Sequence, residues 1–312
     1  MTSVNVIADP TTLYSKHQVK RANWGKGGLW HPSRPARTKA MTHTPFVYLT
    51  VLAYLASMGL YLRFLNKGKE WSGRLATLLM FLALAMHYVA LLMRARGTHT
   101  VPYHDLQGAM SLFGWLLAVT YLCLEIYHRQ RTVGAFVIPI ILAFFFAANA
   151  TPSHPGAPAP AHGVIFALHV TLSILGYSAF ALACVLSLMY LGEERLLRIR
   201  RLGEAVWRLP SLELLERMSH TSVLVGLAAI SIGTGLGFLA VDRHIAEHSS
   251  YLDPKYFFTL FVLLLYAVYF RLARTAAWRG ARASRLCVFN FLLVILNFAV
   301  VNLFFSQSHR YF

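Results

Sequence analysis

Histidine is the residue of this chain with the widest scope for chemistry, and the 312 residues include 14 of them. A neutral imidazole can bind haem iron or another metal ion without bringing a charge into an apolar environment. His87 lies inside a long apolar run, and His169 lies at the start of another. An ionisable side chain inside such a run indicates either a functional site or a hydrogen bond between helices, and position alone leaves both readings open.

The three cysteines offer less chemistry than the histidines. Cys123, Cys184 and Cys287 each lie alone in an apolar run, and the sequence contains no CxxC motif. This spacing supports neither a disulfide framework nor a thiolate metal site. We therefore expect the cysteines to be small side chains that pack between helices.

The elements that must position the histidines are apolar runs long enough to cross a bilayer. Hydrophobic residues make up 57% of the chain and charged residues only 13%, whereas soluble domains carry about 25% charged residues. Continuous apolar runs of about 20 residues are typical of spanning helices and not of barrel strands. The sequence predicts an all-α fold, a polytopic integral membrane bundle of about eight transmembrane helices: Phe46–Phe64, Leu75–Met93, Leu106–Tyr127, Val133–Ala148, Val164–Leu191, Ser222–Ala240, Tyr256–Ala273 and Leu286–Phe305.

Two segments carry further structural predictions. The small residues of Ser231–Gly237 predict that a neighbouring helix approaches closely there. The segment Glu193–Pro210 interleaves apolar residues with arginines. That pattern predicts a helix lying on the anionic cytoplasmic face of the membrane.

Positive charge is distributed unevenly among the connections between these runs. The four odd-numbered connections carry 17 Lys and Arg residues, whereas the even-numbered connections and the C-terminal tail carry five. The positive-inside rule places the odd-numbered connections in the cytoplasm and both chain termini outside. Because topology accounts for the formal net charge of +17, we expect no nucleic-acid partner.

The N-terminal segment departs from this charge pattern. Residues 1–40 carry seven basic residues and no apolar core of a signal peptide, although the N-terminus is predicted outside. We expect a basic N-terminal extension over residues 1–42 and a transmembrane domain over residues 43–312. Two explanations stay open: Met41 is the natural start, or the extension is an unusual tail.

Four stretches resemble the cytochrome c assembly family of haem-handling membrane proteins, the CcsA/CcmC/HemX-like group. They are "MHYVALLMRARGTHTVPYHDLQGAMSLFGW", "ALHVTLSILGYSAFALACVLSLMYL", "LPSLELLERMSHTSVLVGLAAISIGTGLG", and "LDPKYFFTLFVLLLYAVYFRLARTAAWRG" with the terminal "NFAVVNLFFSQSHRYF". Together they cover roughly residues 75–312. The order and spacing of the four carry the likeness, since each stretch alone is a weak motif.

The resemblance implies histidine ligands for haem. His169 and His309 fall on the family's two external histidines, which implies that they are axial ligands of the haem iron. His87 falls on the first transmembrane histidine, and Arg271 occupies the position of the second. Asp253 belongs to what remains of the signature that surrounds haem in the synthetases.

That signature is incomplete in this chain. The stretch Asp253–Lys255 is kept, and Tyr256 stands where the family has an acid. The positions of the signature tryptophans are occupied by Ala246, Ser250 and Leu252. This pattern is similar to the HemX-like branch, which lacks the tryptophan-rich signature.

The resemblance implies a haem-binding accessory protein of cytochrome c biogenesis or haem metabolism, in a bacterial cytoplasmic membrane. It would hold haem b near the outer leaflet, with membrane lipids around it and an apocytochrome c or a second assembly subunit as partner. An accessory role without catalysis is favoured over an enzyme, which would be of the cytochrome c haem-lyase type, and the question stays open. Two alternatives stay open: a subunit of a cytochrome c haem ligation complex, and a scaffold or regulatory subunit without haem. An ion-coupled transporter is disfavoured because Glu125, near a helix end, is the one acidic residue inside a predicted helix.

Overall fold

The computed structural model describes residues 44–98, 101, 103, 105–151, 163–200, 208–240 and 254–300. Within these residues it contains eight α-helices and no strand, which confirms the prediction of an all-α membrane bundle. The N-terminal extension and the proposed start at Met41 lie outside the described residues. The helices are α1 Thr44–Lys67, α2 Glu70–Thr98, α3 Leu106–His128, α4 Gly134–Ala150, α5 Val164–Arg198, α6 Leu212–Ala240, α7 Pro254–Leu272 and α8 Ala281–Val300.

Five of these described helices, α1, α2, α3, α5 and α6, are long and apolar enough to cross a membrane. Two further apolar stretches, α4 and residues 257–272 of α7, are shorter. The chain is therefore a multi-pass membrane protein whose helices differ in length. The predicted run Val133–Ala148 already indicated a short fourth helix, and α4 has 17 residues.

Two helix boundaries differ from the prediction. Helix α6 begins at Leu212, ten residues before the predicted Ser222, because the hydroxyl of Ser211 accepts a hydrogen bond from the Leu214 amide (3.3 Å) and caps the helix. Helix α5 continues to Arg198, so the start of the segment Glu193–Pro210 extends α5 and does not open a separate surface helix. An ion pair between Arg198 and Glu194 (2.8 Å) follows the helical spacing of four residues.

The odd-numbered connections meet at one end of the bundle. Arg208, before α6, donates to the Leu65 carbonyl near the end of α1 (3.4 Å). Arg131, between α3 and α4, pairs with Glu70 at the start of α2 (3.0 Å). Gly280, between α7 and α8, donates its amide to Glu216 of α6 (3.3 Å). The helices thus alternate in direction, and the four odd-numbered connections, which together carry 17 Lys and Arg residues, lie at the same end, as the charge pattern predicts.

The interior contains two main groups of buried apolar side chains, and α5 belongs to both. The first joins α1 to α4 with α5 and includes Tyr54, Tyr61 and Leu182. The second joins α5 to α8, and in it the rings of Phe180 and Tyr266 stack with centroids 3.6 Å apart. Helix α5 therefore connects the two halves of the bundle, and it also carries His169.

Candidate functional site

The seam between α5 and α6 is lined by glycines that let the two backbones approach closely. A Cβ atom built on Gly226 of α6 would lie 3.1 Å from the carbonyl oxygen of Gly176 of α5. One on Gly233 would lie 3.2 Å from the backbone nitrogen of Ser173. The contact positions on α6 are Gly226, Ile230, Gly233 and Gly237, and their separations of four, three and four residues place them on one helix face. The close approach predicted for Ser231–Gly237 is confirmed.

His169 lies at the end of this seam that is farther from the arginine-rich connections, and its ring is held by α6. Its Nδ1 atom lies 2.7 Å from the carbonyl oxygen of Gly233. A carbonyl oxygen only accepts, so Nδ1 carries the proton and donates this hydrogen bond. In a neutral imidazole the lone pair then belongs to Nε2. Among the described residues, no hydrogen bond to Nε2 accompanies the one at Nδ1.

The ring of His169 lies directly against Gly237, one helical turn beyond Gly233. A Cβ atom at position 237 would come within 2.7 Å of both Cε1 and Nδ1 of the imidazole. Any side chain there would push the ring away from the Gly233 carbonyl. Glycines at 233 and 237 therefore fix where the ring lies and which nitrogen faces the helix.

Aromatic side chains flank His169 on the side of α3. The rings of Phe166 and His169 lie 5.9 Å apart, and the ring of Tyr103 lies 6.2 Å from that of Phe166. Tyr103 packs partly buried against Leu91 and Leu112. Partial burial raises the pKa of the Tyr103 hydroxyl above its ordinary value, so the phenol is neutral at physiological pH. The half-buried imidazole thus has an apolar aromatic flank.

A polar cluster fixes the chain beside Tyr103. The Asp105 carboxylate caps α3 by accepting a hydrogen bond from the Gly108 amide (3.0 Å), and it forms an ion pair with Arg94 of α2. Arg94 also donates to the side-chain oxygen of Gln107 (3.2 Å). These contacts join the end of α2 to the start of α3. The sequence signal for the cap was an aspartate directly before an apolar run.

His87 lies in a different environment, inside the group formed by α1 to α4. It is fully buried, its Nδ1 lies 3.2 Å from the hydroxyl of Tyr54, and its Nε2 lies 3.1 Å from the hydroxyl of Ser111. The ring of Phe145 packs edge-on against the imidazole, with centroids 4.7 Å apart. Because protein hydroxyl groups engage both ring nitrogens, binding iron would require one of these hydrogen bonds to break. The geometry is that of a residue joining three helices.

The other residues implied as cofactor contacts, His309 and Asp253, lie outside the described residues, so their roles stay predictions. Helix α7 starts at Pro254, and a proline suits the first turn of a helix because its missing N–H would have no partner within the helix. Arg271, in the position of the second transmembrane histidine, is exposed in the last turn of α7. The described residues contain no group of three or more His, Cys, Asp or Glu arranged for a metal ion. All three cysteines are free.

Glu125 forms a polar centre that the sequence did not reveal. Its carboxylate is 3% exposed and accepts hydrogen bonds from Tyr61 of α1 (2.6 Å), Thr77 of α2 (2.5 Å) and Tyr121 of α3. Three helices therefore meet at one buried acid near the arginine-rich end of the bundle. The sequence placed Glu125 near a helix end but gave no sign of its three hydroxyl partners.

Comparison with known proteins places these features in a family. The sequence model described as "Cytochrome C assembly protein" matches residues 103–309. The chain is 26% identical to Protein HemX of Brevibacillus brevis over 270 residues, which cover 83% of this chain and 96% of that protein. It is 23% identical to the cytochrome c biogenesis protein CcsA of Synechococcus sp. (strain CC9605) over 301 residues, which cover 87% and 99%. It is also 23% identical to Protein HemX of Bacillus subtilis (strain 168) over 265 residues, which cover 83% and 95%. The matched residues include α3 to α8 and the seam that holds His169, and the chain belongs to the cytochrome c assembly protein family.

Proposed function

We propose that this protein is a haem-handling accessory protein of cytochrome c biogenesis or haem metabolism. In this proposal it lies in a bacterial cytoplasmic membrane and holds haem b near the outer leaflet through His169 and His309. The observation that carries the proposal is the hydrogen bond from Nδ1 of His169 to the Gly233 carbonyl (2.7 Å). Histidines that bind metals commonly donate their second ring N–H to a carbonyl or carboxylate, which fixes tautomer and orientation.

The residues around His169 fit a haem ligand on chemical grounds. The Gly233 carbonyl makes Nε2 the nitrogen with a lone pair, and Gly237 leaves room for the ring beside α6. Phe166 and Tyr103 provide apolar surface on the neighbouring side. A porphyrin is a large apolar plate, so an aromatic flank beside an axial histidine favours its binding. These rings would replace part of the platform that the missing tryptophans form in the synthetases.

The remaining residues have distinct proposed roles. His309 supplies the second axial imidazole, and Asp253, which precedes Pro254 in the sequence, contacts the bound haem. His87 stabilises the bundle through Tyr54 and Ser111 and does not bind iron. Haem is the cargo that the protein holds and orients, and an apocytochrome c or a second assembly subunit receives it.

The absorption spectrum of the purified, detergent-solubilised protein tests this function. The proposal predicts a Soret band with bis-imidazole character, which is lost in a His169→Ala/His309→Ala variant. A protein that stays colourless when haem is added would favour the scaffold alternative and contradict the proposal. The partly buried His128 at the arginine-rich end of the bundle provides the control, and we expect His128→Ala to leave the spectrum unchanged.

A second candidate is a subunit of a cytochrome c haem ligation complex. The alignment over nearly the whole length of the CcsA relative favours it. The absence of the signature tryptophans at Ala246, Ser250 and Leu252 argues against it. Deletion of the gene distinguishes the two, because loss of covalently attached haem from c-type cytochromes supports ligation. Cytochromes that mature normally, together with the haem spectrum, support the accessory role.

A further inference from the structure

The connection between α7 and α8 forms an open hollow at the arginine-rich end of the bundle. Its volume is about 460 Å³, and it is lined by Trp278, Arg282, Arg285, Leu286 and Phe289. Trp278 and Phe289 are exposed over 37% and 56% of their surface. The residues that line the hollow are distant in sequence from the residues of the α5–α6 seam that hold His169. They have no part in the proposed function.

The lining residues form one stripe at the start of α8. Arg282, Arg285 and Phe289 are three and four residues apart, the spacing of neighbours on one helix face, and Trp278 lies in the turn before the helix and lines the same hollow. The Trp278 carbonyl accepts a hydrogen bond from the Ala283 amide (2.9 Å), which joins the turn carrying the indole to the first turn of α8. The stripe therefore begins with an indole, continues with two guanidinium groups and ends with an apolar ring.

The two arginines keep most of their hydrogen-bonding capacity. Arg282 donates one Nη1 bond to the Ala277 carbonyl (2.8 Å), and Arg285 donates its Nε bond to the Ala281 carbonyl (3.2 Å). None of the ion pairs among the described residues includes either arginine. Each guanidinium has five N–H donors, so several remain for a ligand.

The local charge is strongly positive. Residues 271–285 contain five arginines and no Asp or Glu. Glu216, which contacts this connection from α6, accepts a hydrogen bond from the Gly280 amide and not from an arginine. Two guanidinium groups beside an apolar surface are complementary to a ligand with an anionic head and an apolar tail.

We propose that this hollow is a binding site for an anionic phospholipid of the leaflet at this end of the bundle. The lipid phosphate lies between Arg282 and Arg285, the indole of Trp278 lies at the level of the headgroup, and an acyl chain follows Leu286 and Phe289. Tryptophans at helix ends are typical of the membrane interface, and basic pockets between helices on the cytoplasmic side bind acidic lipid headgroups. The inference does not depend on haem binding.

Quenching of Trp278 fluorescence by brominated lipids tests the site. The full-length protein and a Trp278→Phe variant are reconstituted in phosphatidylcholine vesicles that contain brominated phosphatidylglycerol or brominated phosphatidylcholine. The difference between the two proteins isolates the signal of Trp278. We expect brominated phosphatidylglycerol to quench at a lower mole fraction than brominated phosphatidylcholine, since each interfacial arginine contributes about fivefold to the affinity for an anionic lipid.

Variants test whether Arg282 and Arg285 cause the stronger quenching by brominated phosphatidylglycerol. We expect Arg282→Gln/Arg285→Gln to remove this preference. Arg282→Lys/Arg285→Lys should keep most of it because the charge is kept. Arg195→Gln/Arg198→Gln is the matched control, since these exposed arginines on α5 are also three residues apart. Equal quenching by the two lipids, or a preference that survives the glutamine variant, would overturn the proposal. Absence of quenching by both lipids would also overturn it and would indicate that a protein surface covers the hollow.

Discussion

Nδ1 of His169 lies 2.7 Å from the carbonyl oxygen of Gly233, and this one contact orients the imidazole at the end of the α5–α6 seam farther from the arginine-rich connections. The carbonyl determines the tautomer, and the glycine at position 237 leaves the space that the ring occupies. A histidine held in this way has lost much of its rotational freedom before any ligand arrives. Such preorganisation raises affinity without adding contacts.

Gly237→Ala tests whether α6 positions the imidazole. The added methyl group would meet Cε1 and Nδ1 of His169 at 2.7 Å, so we expect the ring to move and the hydrogen bond to Gly233 to be lost. Haem affinity should fall about tenfold, as for the loss of a partner that orients a metal ligand. The measurement is a haem titration followed at the Soret band. Gly235→Ala is the matched control, because a Cβ atom there meets nothing within 4 Å.

Gly226→Ala should destabilise the bundle, since its methyl group would lie 2.5 Å from the ring of Phe180 and 3.1 Å from the Gly176 carbonyl. Forcing an atom into so close a seam costs about 1–3 kcal/mol. Reversible unfolding in mixed micelles measures the loss. Gly59→Ala in α1, where nothing lies within 4 Å, should leave stability unchanged or raise it. Equal effects of the two substitutions would contradict the close packing of α5 and α6.

Glu125→Gln tests the buried polar centre formed by three helices. The glutamine amide keeps one acceptor oxygen, but its N–H donor faces hydroxyl groups that donate to the carboxylate of Glu125 in the unsubstituted protein. We expect a loss of about 1–3 kcal/mol in the free energy of unfolding, the cost of leaving a buried hydrogen-bonding group unsatisfied. The control is Glu213→Gln, which removes an exposed ion pair with Arg217 on α6 and should cost less than about 0.5 kcal/mol. If Glu125→Gln lowers the free energy of unfolding no more than Glu213→Gln does, the proposed structural role of Glu125 is wrong.

Removal of a hydroxyl partner of His87 tests whether His87 holds helices together or binds the haem iron. Tyr54→Phe deletes the group 3.2 Å from Nδ1, and Ser111→Ala deletes the group 3.1 Å from Nε2. Each should lower stability by about 0.6–2 kcal/mol, the value of a hydrogen bond between transmembrane helices. Neither variant should alter the absorption spectrum of bound haem. A shifted Soret band in either would show that His87 is near the iron.

The helices were predictable because each apolar run indicates its own membrane span. Their alternating direction was predictable because the arginines cluster on alternate connections. The early start of α6 depends on the hydroxyl of Ser211, a local cap that the apolar pattern does not show. The partners of His87 come from positions 33 and 24 residues away on other helices. No periodicity predicts such contacts, since they depend on how helices rotate about their axes. For the same reason the sequence indicated small residues at 231–237 but not that Gly237 lies under His169.

Replacement of the His169 side chain by free imidazole tests whether this imidazole binds the haem iron. Ferric haem is titrated into a His169→Gly variant with and without added imidazole, and His220→Gly at the opposite end of the bundle is the control. We expect the bis-imidazole spectrum to be lost in His169→Gly, to return when imidazole is added, and to be unchanged in His220→Gly. Haem binding by His169→Gly with unaltered spectrum and affinity would contradict this role of His169.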